Sequence, residues 1–348
     1  MPEIDIKDFS EKDLIQFVID AGGKKFRAEQ IANWTLNHGA TSWDQMSNVP
    51  QKLRDALAEN CRLTSLEEAS REMSVDGTVK WALRTHDDYL IETVLIPSEA
   101  RNSVCISTQV GCAMGCKFCR TARMGLKRQL TPGEILEQFI RVREFLREFN
   151  GGDLTNIIFM GMGEPLHNYK NLKIAVDWFH HQKYFKLSKR RMTVSTSGLV
   201  EKIKQMADDA MPVSLAISLN GSNDEMRKSI MPINERYPIA KLMETVDYYI
   251  NATGNGVTFE YVLIKGITCT PESARELVKL IKNRNCKVNT IALNASDDPN
   301  LQAPSPEEIE EFLTIARQSK KHVSMRQPRG RDIKAACGQL ATQPKKVA

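Results

Sequence analysis

Two periodicities divide the chain. Leu14, Phe17, Val18 and Ala21 recur at helical spacing behind Ser10 and Asp13, which offer a cap, and Gly22-Gly23 ends the run. A second helical pattern covers residues 27–36 with Ile31 and Trp34 three apart, and Pro50 opens a third that reaches Cys61. From about Arg71 the period changes to two. Val79, Trp81 and Leu83 alternate with polar or small neighbours after the turn signal Asp76-Gly77. The next run, 89–96, is apolar on both faces apart from Glu92 and Thr93, which predicts a buried strand paired with the first and a carboxylate embedded in it.

Beyond Ser103, short apolar runs alternate with longer amphipathic ones. Residues 104–107, 156–160, 192–195, 214–218, 258–263 and 288–293 read as strands. Patterns between them, such as Ile135, Phe139, Val142 and Leu146, bury one helical face. This rhythm predicts a parallel sheet of βα units in an open or partial barrel, with function at the C-terminal ends of the strands. No repeat of fixed period is visible, and residues 342–348 predict a frayed tail.

Composition adds bounds. With 348 residues, 41% hydrophobic and 26% charged, the chain fits a soluble core plus an accessory module that folds without disulfides. Residues 1–10 carry acids where a secretory leader is basic, and no segment nears the roughly 20 apolar residues of a membrane span. The expectation is a cytoplasmic protein, in which eight cysteines point to metal binding or catalysis ahead of structural disulfides. Net charge is only +5, yet basic residues crowd into 24–27, 117–128, 183–191 and 320–331. Such clusters neutralise phosphates or form solvated faces.

The densest chemistry is Cys112-Ala-Met-Gly-Cys116-Lys-Phe-Cys119, set just after the strand at 104–107. Three thiolates on one strand-end loop grip a metal centre from one side. A cubane iron–sulfur cluster takes four ligands, so three local cysteines leave one iron open, as a substrate-binding metal site requires. The competing reading is a zinc site completed by a distant Cys or His, although zinc motifs usually bring a second C-x2-C pair and none exists here.

The spacing is that of the radical SAM (S-adenosylmethionine) superfamily. The longer string Gln109-Val-Gly-Cys-Ala-Met-Gly-Cys-Lys-Phe-Cys119 resembles the RlmN/Cfr family of RNA methyltransferases. The resemblance continues through Lys25-Phe-Arg-Ala-Glu-Gln30, Gly161-Met-Gly-Glu-Pro-Leu166, Leu187-Ser-Lys-Arg-Arg191, Ser195-Thr-Ser-Gly198 and Met231-Pro-Ile-Asn-Glu-Arg-Tyr-Pro-Ile239. It ends in Arg329-Gly-Arg-Asp-Ile-Lys-Ala-Ala-Cys-Gly-Gln-Leu340, so it covers nearly the whole chain and is closer to RlmN. It implies an α/β fold: a partial (β/α)6 radical SAM barrel with an N-terminal helical module and a β-hairpin extension. The expected boundaries are 1–65 for an RNA-binding helical domain, 66–98 for the extension, 99–340 for the core and 341–348 for a flexible tail.

The resemblance further implies a [4Fe-4S] cluster on Cys112, Cys116 and Cys119, and a SAM pocket from Gly163, Glu164, Ser195, Ser218, Leu219, Asn220 and Asn294. Two SAM molecules would serve methylation of adenine carbon 2. One methylates Cys337; the second supplies the radical that activates the S-methyl group. Cys105 would resolve the RNA adduct as a transient disulfide with Cys337, and Glu92 would accept a proton. The residues agree in kind. A carboxylate in an apolar strand has a raised pKa, Glu164 can accept hydrogen bonds from an ammonium, and Arg329, Arg331 and Lys334 lie near Cys337 in sequence, where basic neighbours lower a thiol pKa. A Glu92 paired with Lys or Arg would look the same. Cys61, Cys269 and Cys286 are expected to be inert, and Trp34 and Trp43 to be core residues.

The implied partners are 23S rRNA, with tRNA left open as a second substrate, and a one-electron reductant such as flavodoxin or ferredoxin, acting on a monomer away from membranes. Lys24, Lys25 and Arg27 would hold RNA phosphates while the target base leaves its stack. Asn220 stands where the family has His, and Asn294 is followed by Ala295-Ser296 where the family has Pro. Two rivals stay open: a radical SAM enzyme of a small molecule or another RNA position, and a non-enzymatic RNA-binding protein with a structural metal.

Overall fold

Capping chemistry starts the first helix where the sequence predicts. The computed structural model describes residues 4–99, 101–149, 151–294 and 298–341; the predicted tail, 342–348, lies outside them. The N-terminal module runs β1 (Ile4–Asp5), α1 (Glu11–Asp20), α2 (Lys25–Ala32), α3 (Gln51–Ala58) and β2 (Cys61–Arg62). Ser10 Oγ accepts the Asp13 N–H at 3.2 Å to open α1. Two predicted boundaries move. α2 passes into a π-helical turn at Asn33–Asn37, and α3 stops at Ala58 so that Cys61 can pair with Ile4. Both Trp34 and Trp43 are partly buried against the core.

Four antiparallel strands follow: β3 (Leu66–Met73), β4 (Val79–Thr85), β5 (Leu90–Ser98) and β6 (Arg101–Cys105). β3 begins five residues before the predicted change of period. It is an edge strand with every residue after Leu66 exposed, so no apolar alternation marks it. β5 is buried over Ile91–Leu95 as predicted, with Glu92 5% exposed.

The remaining chain is β7 (Gln109–Val110), α4 (Arg120–Arg123), β8 (Arg128–Gln129), α5 (Pro132–Glu148), β9 (Leu154–Phe159), α6 (Tyr169–His180), β10 (Met192–Thr196), α7 (Val200–Asp208) and β11 (Ser214–Ser218). It continues with α8 (Asp224–Ile230), α9 (Ile239–Thr253), β12 (Val257–Leu263), α10 (Pro271–Ile281), β13 (Cys286–Ala292), α11 (Pro306–Ala316) and β14 (His322–Arg326). Thr131, Thr270 and Ser305 form capping boxes before α5, α10 and α11, each with Pro at the first helical position.

One ten-stranded sheet results, ordered β14-β13-β12-β11-β10-β9-β6-β5-β4-β3. From β6 onward every neighbour is parallel. The sheet is open, with edges β3 and β14. The predicted βα units are present, and β14 adds a strand that sequence reading took only as part of a basic cluster. Its Val323 is buried while His322 and Arg326 are exposed, so at this edge the apolar signal is too short to detect. β12, flanked on both sides, is buried at all seven positions.

The helical module is tied to the core by a buried ion network. Lys7 Nζ lies 3.0 Å from Asp5 and 3.6 Å from Glu137 of α5, and Glu137 accepts the Ser65 N–H at 2.7 Å. No described helix is long and apolar enough to cross a membrane.

Candidate active site

The C-terminal ends of the parallel strands open into one cleft. It is lined by the cysteine loop, the turns after β9, β10 and β11, the inner face of β12, Asn294 beyond β13 and the segment 337–339. Backbone approach is close enough to demand glycine at two points. A Cβ on Gly111 would lie 1.8 Å from the Gly125 carbonyl oxygen, and one on Gly163 would lie 2.5 Å from Gln109 Cβ. Both glycines have positive φ. Gln109 fastens the second turn by accepting the Glu164 N–H at 2.7 Å.

Cys112, Cys116 and Cys119 all line this cleft. Burial pushes the Cys112 thiol up to about 12 and raises Cys116, to which Cys119 and Cys112 add. Among the described residues, the one trio of metal-type ligand atoms within 4.8 Å of one another is His86, Asp87 and Glu134. The two carboxylates of that trio are already held by Arg128, which donates to Asp87 and Glu134 at 2.6–2.8 Å. The three cysteine sulfurs are therefore spread wider than one zinc would hold them, since Zn–S bonds of about 2.3 Å bring sulfurs to roughly 4 Å. An all-thiolate donor set suits an iron–sulfur cluster.

The rest of the cleft suits a polar ligand. Ser197 Oγ, Glu260 Oε2 and Asn294 Oδ1 are buried, lack hydrogen-bond partners and belong to lining residues. Buried polar atoms are normally paired, so these three are poised for a bound molecule. Glu164 is less free than predicted: its carboxylate accepts the Ser197 N–H at 2.7 Å and the Leu166 N–H at 3.1 Å. Burial nonetheless raises its pKa.

Gly163, Glu164, Ser195, Ser218, Asn220, Asn294 and Cys337 share the cleft with the three cysteines. Leu219 does not; its side chain is fully buried and its carbonyl accepts Arg227 Nε–H at 2.9 Å. Asn220 sits at φ 51°, a left-handed position that Asn tolerates. Its Oδ1 accepts the Val262 N–H at 2.9 Å, stitching β11 to β12. Residues 295 and 296, the second departure from the family pattern, lie outside the described residues.

Glu92 and Cys105 are not among the residues that line the cleft. Glu92 faces Lys80 at 3.6 Å through Oε1, while Oε2 is buried without a hydrogen-bond partner. Burial raises its pKa in spite of Lys80. Cys105 is buried at the end of β6, and its pKa is raised by burial and then by Cys337. All eight cysteines are free thiols.

Cys337 corrects one expectation. Its pKa is raised, first by desolvation in the crowded cleft and then by Glu260, although the residue is open to solvent. Arg326 is the basic side chain that opposes this most; the sequence neighbours Arg329, Arg331 and Lys334 weigh less. Proximity in sequence is not proximity of charge. Cys61 and Cys269 are buried, Cys286 is partly buried, and burial raises all three.

Sequence reading missed Glu260, Ser197 and Arg227. Glu260 carries the same signal as Glu92, a lone acid in the apolar strand β12. Its Oε1 accepts Asn289 Nδ2–H at 2.8 Å, and burial raises its pKa. Arg227, fully buried, donates to the carbonyls of Ser197 at 2.6 Å and Leu219 at 2.9 Å and so fixes the two turns that floor the cleft.

Comparison with known proteins agrees with this site. The radical SAM superfamily profile matches residues 106–269, and that of the ribosomal RNA large subunit methyltransferase N-terminal domain matches 4–63. The dual-specificity RNA methyltransferase RlmN of Anaeromyxobacter sp. Fw109-5 is 44% identical over 98% of this chain and 92% of its own length. The probable dual-specificity RNA methyltransferase RlmN of Flavobacterium psychrophilum is 41% identical over 97% of this chain and 98% of its own. The crystal structure of a radical SAM methyltransferase from Sphaerobacter thermophilus superposes with a TM-score of 0.94 at 41% identity, covering 98% of this chain and 100% of that one. A radical SAM protein uses a [4Fe-4S] cluster and SAM, and the thiol set and orphaned polar atoms of the cleft suit both. Sequence, fold and site together make this chain a member of the RlmN family of radical SAM RNA methyltransferases.

Proposed function

We propose that the chain methylates carbon 2 of an adenine in 23S rRNA, with tRNA open as a second substrate, through an S-methylcysteine at Cys337. The observation that carries this reading is the convergence of Cys112, Cys116, Cys119 and Cys337 on one cleft. Cys112, Cys116 and Cys119 would hold the cluster. When bound, it supplies the electron that cleaves SAM and so opens radical chemistry at an unactivated methyl group. Gly163, Glu164, Ser195, Ser218, Asn220 and Asn294 would hold SAM; Leu219, predicted with them, is excluded because its N–H and carbonyl are already paired within the protein.

Cys337 would receive a methyl group from SAM, its sulfur forming the new S–CH3 bond while the sulfonium S–CH3 bond breaks. The same residue then tethers the base. Glu92 accepts a proton in the second half of the cycle, for which a carboxylate of raised pKa is suited. Cys105 attacks the Cys337 sulfur, forming the disulfide as the S–CH2 bond that tethers the base breaks and that carbon takes up a proton to become the product methyl group; its burial beside Cys337 supports this role.

RNA would be gripped by the helical module, residues 1–65, with residues 66–98 as an extension and 99–340 as the core. Lys24 and Lys25 are exposed beside Phe26, which is 50% exposed and covered by the Arg27 guanidinium at 4.6 Å from its ring centre. This gives a stacking surface flanked by cations. The reading includes a monomer in the cytoplasm, reduced by a flavodoxin or ferredoxin. The match of residues 4–63 to an rRNA methyltransferase domain favours RNA over a small molecule.

The test is anaerobic cluster reconstitution followed by reaction with SAM, reductant and rRNA fragments, with nucleosides analysed by mass spectrometry. The expected product is 2-methyladenosine; unmodified adenosine alone, from protein with an intact cluster, overturns the proposal.

A further inference from the structure

The segment that carries Cys337 hangs between two supports. On the cleft side, Arg120 N–H donates to the Gly338 carbonyl at 2.8 Å and Thr121 Oγ1 to that of Leu340 at 2.6 Å. On the other side the support is the β4 hairpin. Ser74 Oγ donates to Asp332 Oδ1 at 2.6 Å, Gly330 N–H donates to Asp76 Oδ2 at 3.0 Å, and Lys80 Nζ donates to the Ile333 carbonyl at 2.6 Å.

Lys80 does more than hold the loop. In the β4–β5 register Lys80 lies opposite Val94 and Ala82 opposite Glu92, so Lys80 and Glu92 are diagonal neighbours on one face of the sheet. The ammonium stands 3.6 Å from Glu92 Oε1 and 3.4 Å from Glu72 Oε1 of β3, and the Lys80 side chain is 8% exposed. The groups facing Glu92 are thus Lys80 of β4, Glu72 of β3 and the Ala341 backbone of the C-terminal segment. A buried lysine needs partners for its charge and its donors. Here they come from the proton acceptor and from the loop of the methylated cysteine.

We infer that Lys80 is a positioning residue for methyl transfer: it fixes the Cys337-bearing segment against Glu92 by binding both. This rests on the proposed roles of Cys337 and Glu92. A long cation with three donors can bridge a carbonyl and a carboxylate at once, which a neutral isostere cannot. Arg, with a fixed charge and several donors, keeps both links.

The test uses the reconstituted holoenzyme with Lys80→Met, Lys80→Gln and Lys80→Arg. For Met and Gln we expect normal cluster absorption, a turnover drop on the order of tenfold or more from loss of a charge-assisted bond, and an RNA KM within about twofold. The low-pH limb should move upward, because the cation beside Glu92 favours its ionised form. Arg should restore most turnover and return the limb toward its original position. Deuterium exchange should quicken over residues 330–340 in Met and Gln only. Unchanged turnover and pH profile in either neutral variant would overturn the inference. So would an Arg variant as impaired as Met, or a turnover loss with no shift of the limb, since both describe a merely structural lysine. Lys80→Gln keeps the test open if Lys80→Met fails to fold. Failure of the underlying reading looks different: RNA methylation by Cys337→Ala, or a low-pH limb that persists in Glu92→Gln, removes the roles Lys80 would serve whatever its own variants do.

Discussion

Asn294 Nδ2–H donates to the carbonyl of Cys337 at 3.1 Å, so the turn beyond β13 holds the segment bearing the thiol proposed to take the methyl group. Its Oδ1 is buried and unpaired, which leaves the same side chain able to bind a ligand. Asn294→Ala should therefore slow formation of S-methyl-Cys337 roughly fivefold for about 1 kcal/mol of lost hydrogen bonding. Quenched reactions read by peptide mass spectrometry check this, and an unchanged rate would detach Asn294 from the relay.

Cys337 and Cys119 line one cleft, yet their removal should have opposite signatures. Cys337→Ala should abolish RNA methylation and keep the broad visible absorption of the cluster, whereas Cys119→Ala should lose iron. Iron and sulfide assays beside nucleoside analysis separate them; RNA methylation by Cys337→Ala would end the relay mechanism.

Glu92→Gln keeps the shape of the side chain and removes its ability to take a proton. Cys337 methylation should continue, while adenine methylation should fall by about 10²–10⁴-fold, the range for loss of a general base. A variant equally slow in both halves of the cycle would place Glu92 in folding or SAM binding instead.

Asp76 is held at about 2; burial opposes ionisation, but hydrogen bonds from Thr78, Gly330 and Ser74 outweigh it. A depressed carboxyl pKa stabilises the folded state fully above the unfolded value near 3.9, and that contribution is lost as pH falls through about 2. Asp76→Asn should lower the urea midpoint of the cluster-free protein at pH 7, with the gap to wild type closing between about pH 4 and 2. A gap independent of pH would mean the carboxylate charge contributes nothing there.

Lys24 and Lys25 are exposed at the start of α2. If each meets a phosphate, each Ala substitution should weaken RNA binding across sequences and reduce the slope of log affinity against log salt by about one. Filter binding at several salt concentrations measures this. Unchanged slopes would move the RNA face to another basic cluster, such as 183–191.

Much of the fold was legible because its signals are local. Ser10 caps the first helix through a contact three residues away, the same local signal stands at Thr131, Thr270 and Ser305, and the parallel strands announce themselves by short runs rich in apolar residues. β3 and β14 were not announced, because edge strands bury one face at most and β3 is almost wholly exposed. The cysteine loop was legible for a related reason: its three thiols lie within eight residues of one another.

Alone, the sequence determined the βα order, the cysteine loop and the family, since each is written in neighbouring residues. Only the tertiary structure decided which distant residues meet. It set Glu260 beside Cys337, gave Lys80 to both Glu92 and the C-terminal segment, and closed Arg227 over two turns. It also reversed the expected direction for the Cys337 thiol, because the field at a side chain depends on distance through space and on desolvation, and neither can be read from spacing along the chain.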